Sequence, residues 1–204
     1  MTQLERYEWC DFWWGEATSP DKRRVLLIGD SITRGFRPDV NKLLQGIAYV
    51  DMLATSKGLD NPCLLREMDY ILNHQGELTY QVIHINNGLH GFYLSSAEYE
   101  HYYDRVIGYL LEHSHGAKVV VALTTPKTIE DEPEQLDAAI NDMVIERNNA
   151  AERLVTKYNL ELNDLYAQML GKSEYRVADG YHYNLHGEQA QAEIVAEKLK
   201  PWLV

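Results

Sequence analysis

Two cysteines in 204 residues, Cys10 and Cys63, are too few for a disulfide framework, and no CxxC spacing offers a redox or metal motif. Both are expected to be free thiols. No apolar run approaches the roughly 20 residues that span a bilayer. Basic residues are also scarce: 19 Lys and Arg stand against 31 Asp and Glu, a formal net charge of −12. That balance argues against a nucleic acid or an anionic membrane as partner, because both need a positive face. The cluster Lys22-Arg23-Arg24 is too short to reverse it. Residues Met1 to Asp11 lack a basic start followed by an apolar core, so no secretory signal is read there and a cytoplasmic location is expected. Phosphate-loop and dinucleotide readings fail as well, since the first apolar run is followed by neither GxGxxG nor GxxxxGKS/T.

What is present suits one α/β domain. A chain of this length with 45% hydrophobic residues buries one sizeable core and leaves little for a second. No repeat, low-complexity block or Pro/Gly linker divides it, so the expectation is a single domain over 1–204 with an aromatic-rich N-terminal extension over about 1–22. Short β-branched or apolar runs near 24–30, 48–54, 80–86, 118–123 and 160–163 read as strands. Helical spacing falls between them: Leu64, Leu65, Met68, Ile71 and Leu72 mark one face, and Tyr99, Tyr102, Val106, Tyr109 and Leu110 another. A long helical stretch covers about 134–158. A last one, about 187–202, presents Ala190, Ile194, Ala196, Leu199 and Leu203 to the sheet. Strands alternating with helices predict a parallel sheet with crossover helices, whose ligand crevice lies beyond the strands' carboxyl ends.

The segments at that rim carry the chemistry. The run Val25 to Ile28 feeds into Gly29-Asp30-Ser31, which delivers a hydroxyl to a helix start whose amides and dipole favour developing negative charge. The plainer alternative is that Asp30 or Ser31 only caps the helix. A serine hydroxyl needs a base to take its proton and an acid group to hold that base in one tautomer. Asp179-Gly180-Tyr181-His182 supplies both: a carboxylate three residues before a histidine can accept from Nδ1–H and leave Nε2 facing the serine. The alternative there is a polar loop capping the final helix, with Asn184 or His186 as cap. Oxyanion donors belong on neighbouring loops. The Asn86 side chain, the Gly58 backbone N–H and the Ser31 N–H are the candidates, with Ser56 competing for the second-loop position.

In this order the blocks resemble the SGNH hydrolases, the GDSL esterase/lipase family. Gly29-Asp30-Ser31-Ile32 is similar to the first block, with Ile32 where leucine is usual; Gly58 resembles the second, Asn86 the third and Asp179 to His182 the last. The resemblance implies a three-layer α/β/α sandwich around a five-stranded parallel, flavodoxin-like sheet. It further implies Ser31 as nucleophile, His182 as base, Asp179 as acid, and Gly58 with Asn86 as oxyanion donors, with no metal or cofactor. The third block departs from the usual Gly-x-Asn-Asp, reading His84-Ile85-Asn86-Asn87. A shift of the alignment by one residue moves the donor to Asn87. His84 adds bulk at the strand end, where it either narrows the site or packs beneath it.

The reaction expected is ester hydrolysis through an acyl-enzyme on small O-acyl esters, such as acetylated carbohydrates or metabolites. Asn87 and His90 are candidate substrate contacts, His90 being equally a loop-packing residue. Two other readings use the same residues: a binding protein that keeps the fold without turnover, and a metal-dependent hydrolase using Asp30, His84, His90 and His182. His74, His101, His113 and His115 fall on predicted helices or their ends and read as surface or interface residues, and Asp51 and Asp164 as structural groups. The cluster Tyr7, Trp9, Phe12, Trp13 and Trp14 needs cover, from the body of the protein, a second copy in a homo-oligomer, or a sugar ring.

Overall fold

In the computed structural model, which describes residues 4–73 and 78–203, the chain begins with β1 (Cys10–Trp13) and β2 (Arg23–Gly29). It then alternates through α1 (Ser31–Leu43), β3 (Ala48–Thr55), α2 (Pro62–Asn73), β4 (Val82–Ile85), α3 (Ser96–His113) and β5 (Lys118–Ala122). A hairpin of β6 (Thr128–Ile129) and β7 (Glu132–Leu136) precedes α4 (Ala138–Tyr158), β8 (Glu161–Asn163), α5 (Leu165–Met169) and α6 (Leu185–Leu199). Five strands pair in parallel in the order β3-β2-β4-β5-β8. This is the flavodoxin-like winding expected, and its direction reverses at β2, between β3 and β4.

Period-two alternation along buried strands sorts the side chains into two cores. Leu26 and Ile28 face one way with Ile83, Ile85, Val119 and Val121, under α2, α3 and α4. Val25 and Leu27 face the other way with Val82, Val120 and Ala122, under α1, α5 and α6. Each such side chain removed from water contributes about 1.5–3 kcal/mol, so the sheet is fixed from both faces and its carboxyl rim is held still. No helix among the described residues is long and apolar enough to cross a membrane.

The five parallel strands stand as expected, and the elements differ from expectation in three details. The sheet has six strands: β1 pairs antiparallel with the outer edge of β3, from Cys10 opposite Thr55 to Trp13 opposite Met52. The long helix starts at Ala138, because the Asp137 side chain accepts from the Ile140 N–H and caps it there; residues 132–136 form exposed β7 instead. In α6 the fully buried face is Ala192, Val195, Ala196 and Leu199, with Ile194 only partly buried against it. Of the histidines read onto helices, His101 and His113 lie on α3, while His74 lies outside the described residues. Cys10 and Cys63 are free thiols.

Of the N-terminal aromatic residues, Trp9, Phe12 and Trp14 are partly buried on the protein's own body, while Trp13 and Tyr7 are exposed. Phe12 and Trp14 stack at 5.7 Å between ring centroids, with Tyr70 edge-on to both. Arg34 lies over Trp9 at 4.8 Å and Arg37 over Trp13 at 4.5 Å. The segment is pinned further: Trp9 N–H donates to Ser56 Oγ at 2.9 Å, and Lys57 Nζ sits 3.0 Å from Glu8. Burial works against the Lys57 charge, but the Glu8 and Glu67 carboxylates outweigh it and hold its pKa above the ordinary lysine value. Asp51 is structural, fully buried in a two-point pair with Arg24 while also accepting the Gly15 N–H. Asp164 caps α5.

Candidate active site

The turn from β2 into α1 is tight enough that a Cβ on Gly29 would overlap the Thr33 side chain. Asp30 takes the capping role, its side chain accepting the Ile32 N–H at 2.9 Å. Capping by Asp30 leaves the Ser31 hydroxyl free to face the last loop, where its Oγ lies 2.6 Å from His182 Nε2. On the other side of the ring, His182 Nδ1 is 2.6 Å from Asp179 Oδ2. The second Asp179 oxygen accepts the backbone N–H groups of Tyr181 and His182, both at 2.8 Å. Partial burial works against the Asp179 charge, yet these donors outweigh it and hold the carboxyl below the usual aspartate value. Gly180 adopts φ +73°, and a Cβ there would run into the Thr128 carbonyl, so the turn that presents His182 depends on glycine. Asn184 caps α6 through the His186 and Gly187 N–H groups, which frees His182 from that duty.

Ser31 and His182 open onto a cleft of about 300 Å³, lined also by Glu5, Leu89, His90, Phe92 and Tyr181. His90 is therefore at the site. Asn87 is not: its amide nitrogen donates to the Lys57 carbonyl at 2.9 Å and its own carbonyl accepts the Tyr99 hydroxyl, so it ties two loops together beneath the rim. The Asn86 amide nitrogen donates to the Ala122 carbonyl at 2.8 Å and to Thr124 Oγ1 at 3.1 Å. It lines a small neighbouring cavity behind Ile32 rather than the Ser31 cleft. Gly58 lies against Gly91 and Tyr93, where a Cβ would crowd both. Ser56 is taken up by Trp9 through its hydroxyl and its N–H and does not compete for the site.

His84 packs beneath the rim. It is fully buried, its Nε2 is 3.1 Å from the Asn163 amide nitrogen, and Phe36 meets its ring edge-on. Burial pulls its pKa down to about 4, so it is a neutral imidazole at ordinary pH, accepting from Asn163 at Nε2 and carrying its proton on Nδ1. Held by Asn163 and facing the small cavity, it does not join Asp30, His90 and His182 in a metal site. Among the described residues no group of three or more His, Cys, Asp or Glu is arranged to hold an ion.

Two buried arginines that sequence reasoning missed hold the loops. The Arg147 guanidinium donates to the carbonyls of Gly88, His90 and Gly91 at 2.7–2.9 Å and lies over the Phe92 and Tyr99 rings. Arg176 donates to the Pro126, Gly180 and Tyr181 carbonyls and lies over Tyr183. Both loops that frame Ser31 are thus gathered by a planar fork of donors, a task for which a lysine is the wrong shape.

Comparison with solved structures matches nearly the whole chain. The native aryl esterase of M. smegmatis superposes with a TM-score of 0.70 at 15% identity, covering 89% of this chain and 100% of that one. A lipase/acylhydrolase from Enterococcus faecalis gives 0.69 at 18% identity, over 89% and 97%. The chain has the fold of the SGNH hydrolases. Another protein of the same architecture, a carbohydrate acetylesterase from Sinorhizobium meliloti, gives 0.68 at 16% identity, over 88% and 99%. No protein-family model matches the chain, and no curated protein sequence does. On the SGNH-hydrolase fold, β1 and the segment leading into it form the outer edge of the sheet, and that segment brings Glu5 to the cleft.

Proposed function

We propose that the chain is a serine-dependent ester hydrolase that works through an acyl-enzyme on small O-acyl esters. The observation that carries this reading is the aligned set Ser31–His182–Asp179, with both hydrogen-bond distances at 2.6 Å, at the reversal point of a parallel sheet. His182 Nε2 takes the Ser31 proton as Oγ attacks the ester carbonyl. The tetrahedral intermediate collapses, the bond to the alcohol oxygen breaks, and His182 returns its proton to the departing alcohol. Water, deprotonated by the same imidazole, then attacks the acyl carbon, releases the carboxylic acid and restores Ser31. Asp179 keeps Nδ1 protonated and supports the imidazolium. The Ser31 and Gly58 N–H groups and the Asn86 amide are the oxyanion donors, Asn86 after exchanging the Thr124 hydroxyl for substrate; each donor is worth about 10²–10³ in rate. A cleft of about 300 Å³ suits a short acyl group.

A second reading, a binding protein without turnover, is favoured by the engagement of Asn86 with Ala122 and Thr124. Labelling with a fluorophosphonate separates the two. The esterase becomes covalently labelled and hydrolyses p-nitrophenyl acetate, and Ser31→Ala abolishes both. A folded protein that takes no label, or hydrolysis that survives Ser31→Ala, sinks the proposal.

A further inference from the structure

The cleft lined by Ser31 and His182 is also lined by a second carboxylate–imidazole pair, Glu5 with His90. Glu5 comes from the N-terminal segment, anchored by β1, by Trp9 on Ser56 and by Glu8 on Lys57. Its Oε1 accepts the Gly91 N–H at 2.7 Å and lies 3.7 Å from His90 Nδ1. Among the described residues, neither Glu5 Oε2 nor His90 Nε2 has a hydrogen-bond partner. Polar atoms left unpartnered on the wall of a cleft, with the His90–Gly91 backbone held by Arg147, are poised for a ligand.

We propose that Glu5 and His90 form the subsite for the alcohol half of the ester and select an uncharged, hydroxyl-rich alcohol. The inference rests on the esterase reading. Carboxylate and imidazole atoms accept hydroxyl protons, and Phe92 and Tyr181 give apolar surface for the carbon face of a ring. An anionic alcohol is opposed by Glu5 and Asp30, which line the cleft with no Lys or Arg among its lining residues. A cationic alcohol gains little from the rings. Phe92 is already covered by the Arg147 guanidinium at 4.9 Å and Tyr181 by Lys127 Nζ at 5.1 Å, so neither offers the unoccupied electron-rich box that a quaternary ammonium needs. A polyol meets neither objection.

The test holds the acyl group constant and changes the alcohol, using p-nitrophenyl acetate, acetylcholine and a mono-acetylated methyl glucoside with the wild type, Glu5→Gln and His90→Ala. Glu5→Gln retains an oxygen for the Gly91 N–H but removes the charge. For the glucoside acetate, kcat/KM falls at least tenfold in each variant, mainly through KM. On p-nitrophenyl acetate, whose alcohol carries no further hydroxyl for the pair, the fall is several-fold smaller, and the fluorophosphonate labelling rate changes less than the glucoside rate. An equal fall on all three esters means a scaffold role and overturns the proposal, as does an unchanged glucoside rate. Preference for acetylcholine with selective loss in Glu5→Gln also overturns it, in favour of a cation subsite. A wild type that hydrolyses no ester and takes no label removes the esterase reading itself; label and p-nitrophenyl acetate turnover without alcohol discrimination removes only the subsite.

Discussion

Asp179 meets His182 twice: one carboxylate oxygen lies 2.6 Å from the ring Nδ1 and the other accepts the residue's own backbone N–H at 2.8 Å. The same side chain therefore sets the position of the histidine's main chain and the direction of its ring. Asp179→Asn presents an amide in place of an oxygen to one of those donors and favours the wrong tautomer. We expect kcat to fall by two to four orders of magnitude with KM little changed. Steady-state kinetics on p-nitrophenyl acetate measure this, and a fall confined to KM contradicts it.

Asn86 and Thr124 give a second prediction. With the amide shared between the Ala122 carbonyl and the Thr124 hydroxyl, Asn86→Ala is expected to lower kcat by about 10²–10³. Thr124→Val, which releases the amide, leaves kcat at or above the wild-type level. If Asn86→Ala retains full turnover, the oxyanion falls to the backbone donors alone.

Arg147 and Arg176 are positioning residues. Replacing either by Met leaves two carbonyls facing an apolar chain without their donor, those of Gly88 and His90 at Arg147 and of Pro126 and Tyr181 at Arg176, while Gly91 and Gly180 keep the Leu94 and Thr128 N–H groups; the cost is about 2–4 kcal/mol in unfolding free energy. Lysine does not rescue either position, because one ammonium cannot span the three acceptors. Urea unfolding monitored by tryptophan fluorescence gives the stability. The site readout is kcat/KM for the glucoside acetate in Arg147→Lys, expected to fall more than that for p-nitrophenyl acetate.

His84 makes stability depend on pH. Its folded pKa of about 4 lies below the unfolded value of 6.5, so between these limits the unfolded chain binds a proton that the native state refuses. Stability is unaffected above pH 6.5, falls as pH drops toward 4 and levels off below, a total of about 3 kcal/mol from this residue. His84→Met is expected to flatten that part of the pH–stability curve. An unaltered slope between pH 6.5 and 4 shows that other groups set it.

The parallel strands and the two ends of the Ser31–His182 pair were legible because each is local: an apolar run into Gly-Asp-Ser, and a carboxylate three residues before a histidine. The strand β1 was not, since Cys10-Asp11-Phe12-Trp13 has no clean alternation and is exposed at both ends; its pairing depends on the distant edge of β3. The hairpin strand β7 is charged, exposed and contains Pro133, so it merged with the helix behind it. Arg147 and Arg176 drew no reading, because nothing nearby in sequence names the carbonyls they gather. Asn87 looked like a rim residue from its neighbours alone, and only Lys57 and Tyr99, 30 and 12 residues away, turn it inward. Glu5 joins His90 across 85 positions of chain, a distance over which spacing carries no information.

The path of the first residues has a practical bearing on how the protein is handled. Glu5 lies at the cleft, so a purification tag fused ahead of it is expected to slow the turnover of bulky esters. By contrast, α6 starts next to the His182 loop and runs 15 residues away from it, about 22 Å at 1.5 Å per residue. A tag carried after that helix leaves the entrance clear, and the two fusions compared side by side report how much room the entrance has.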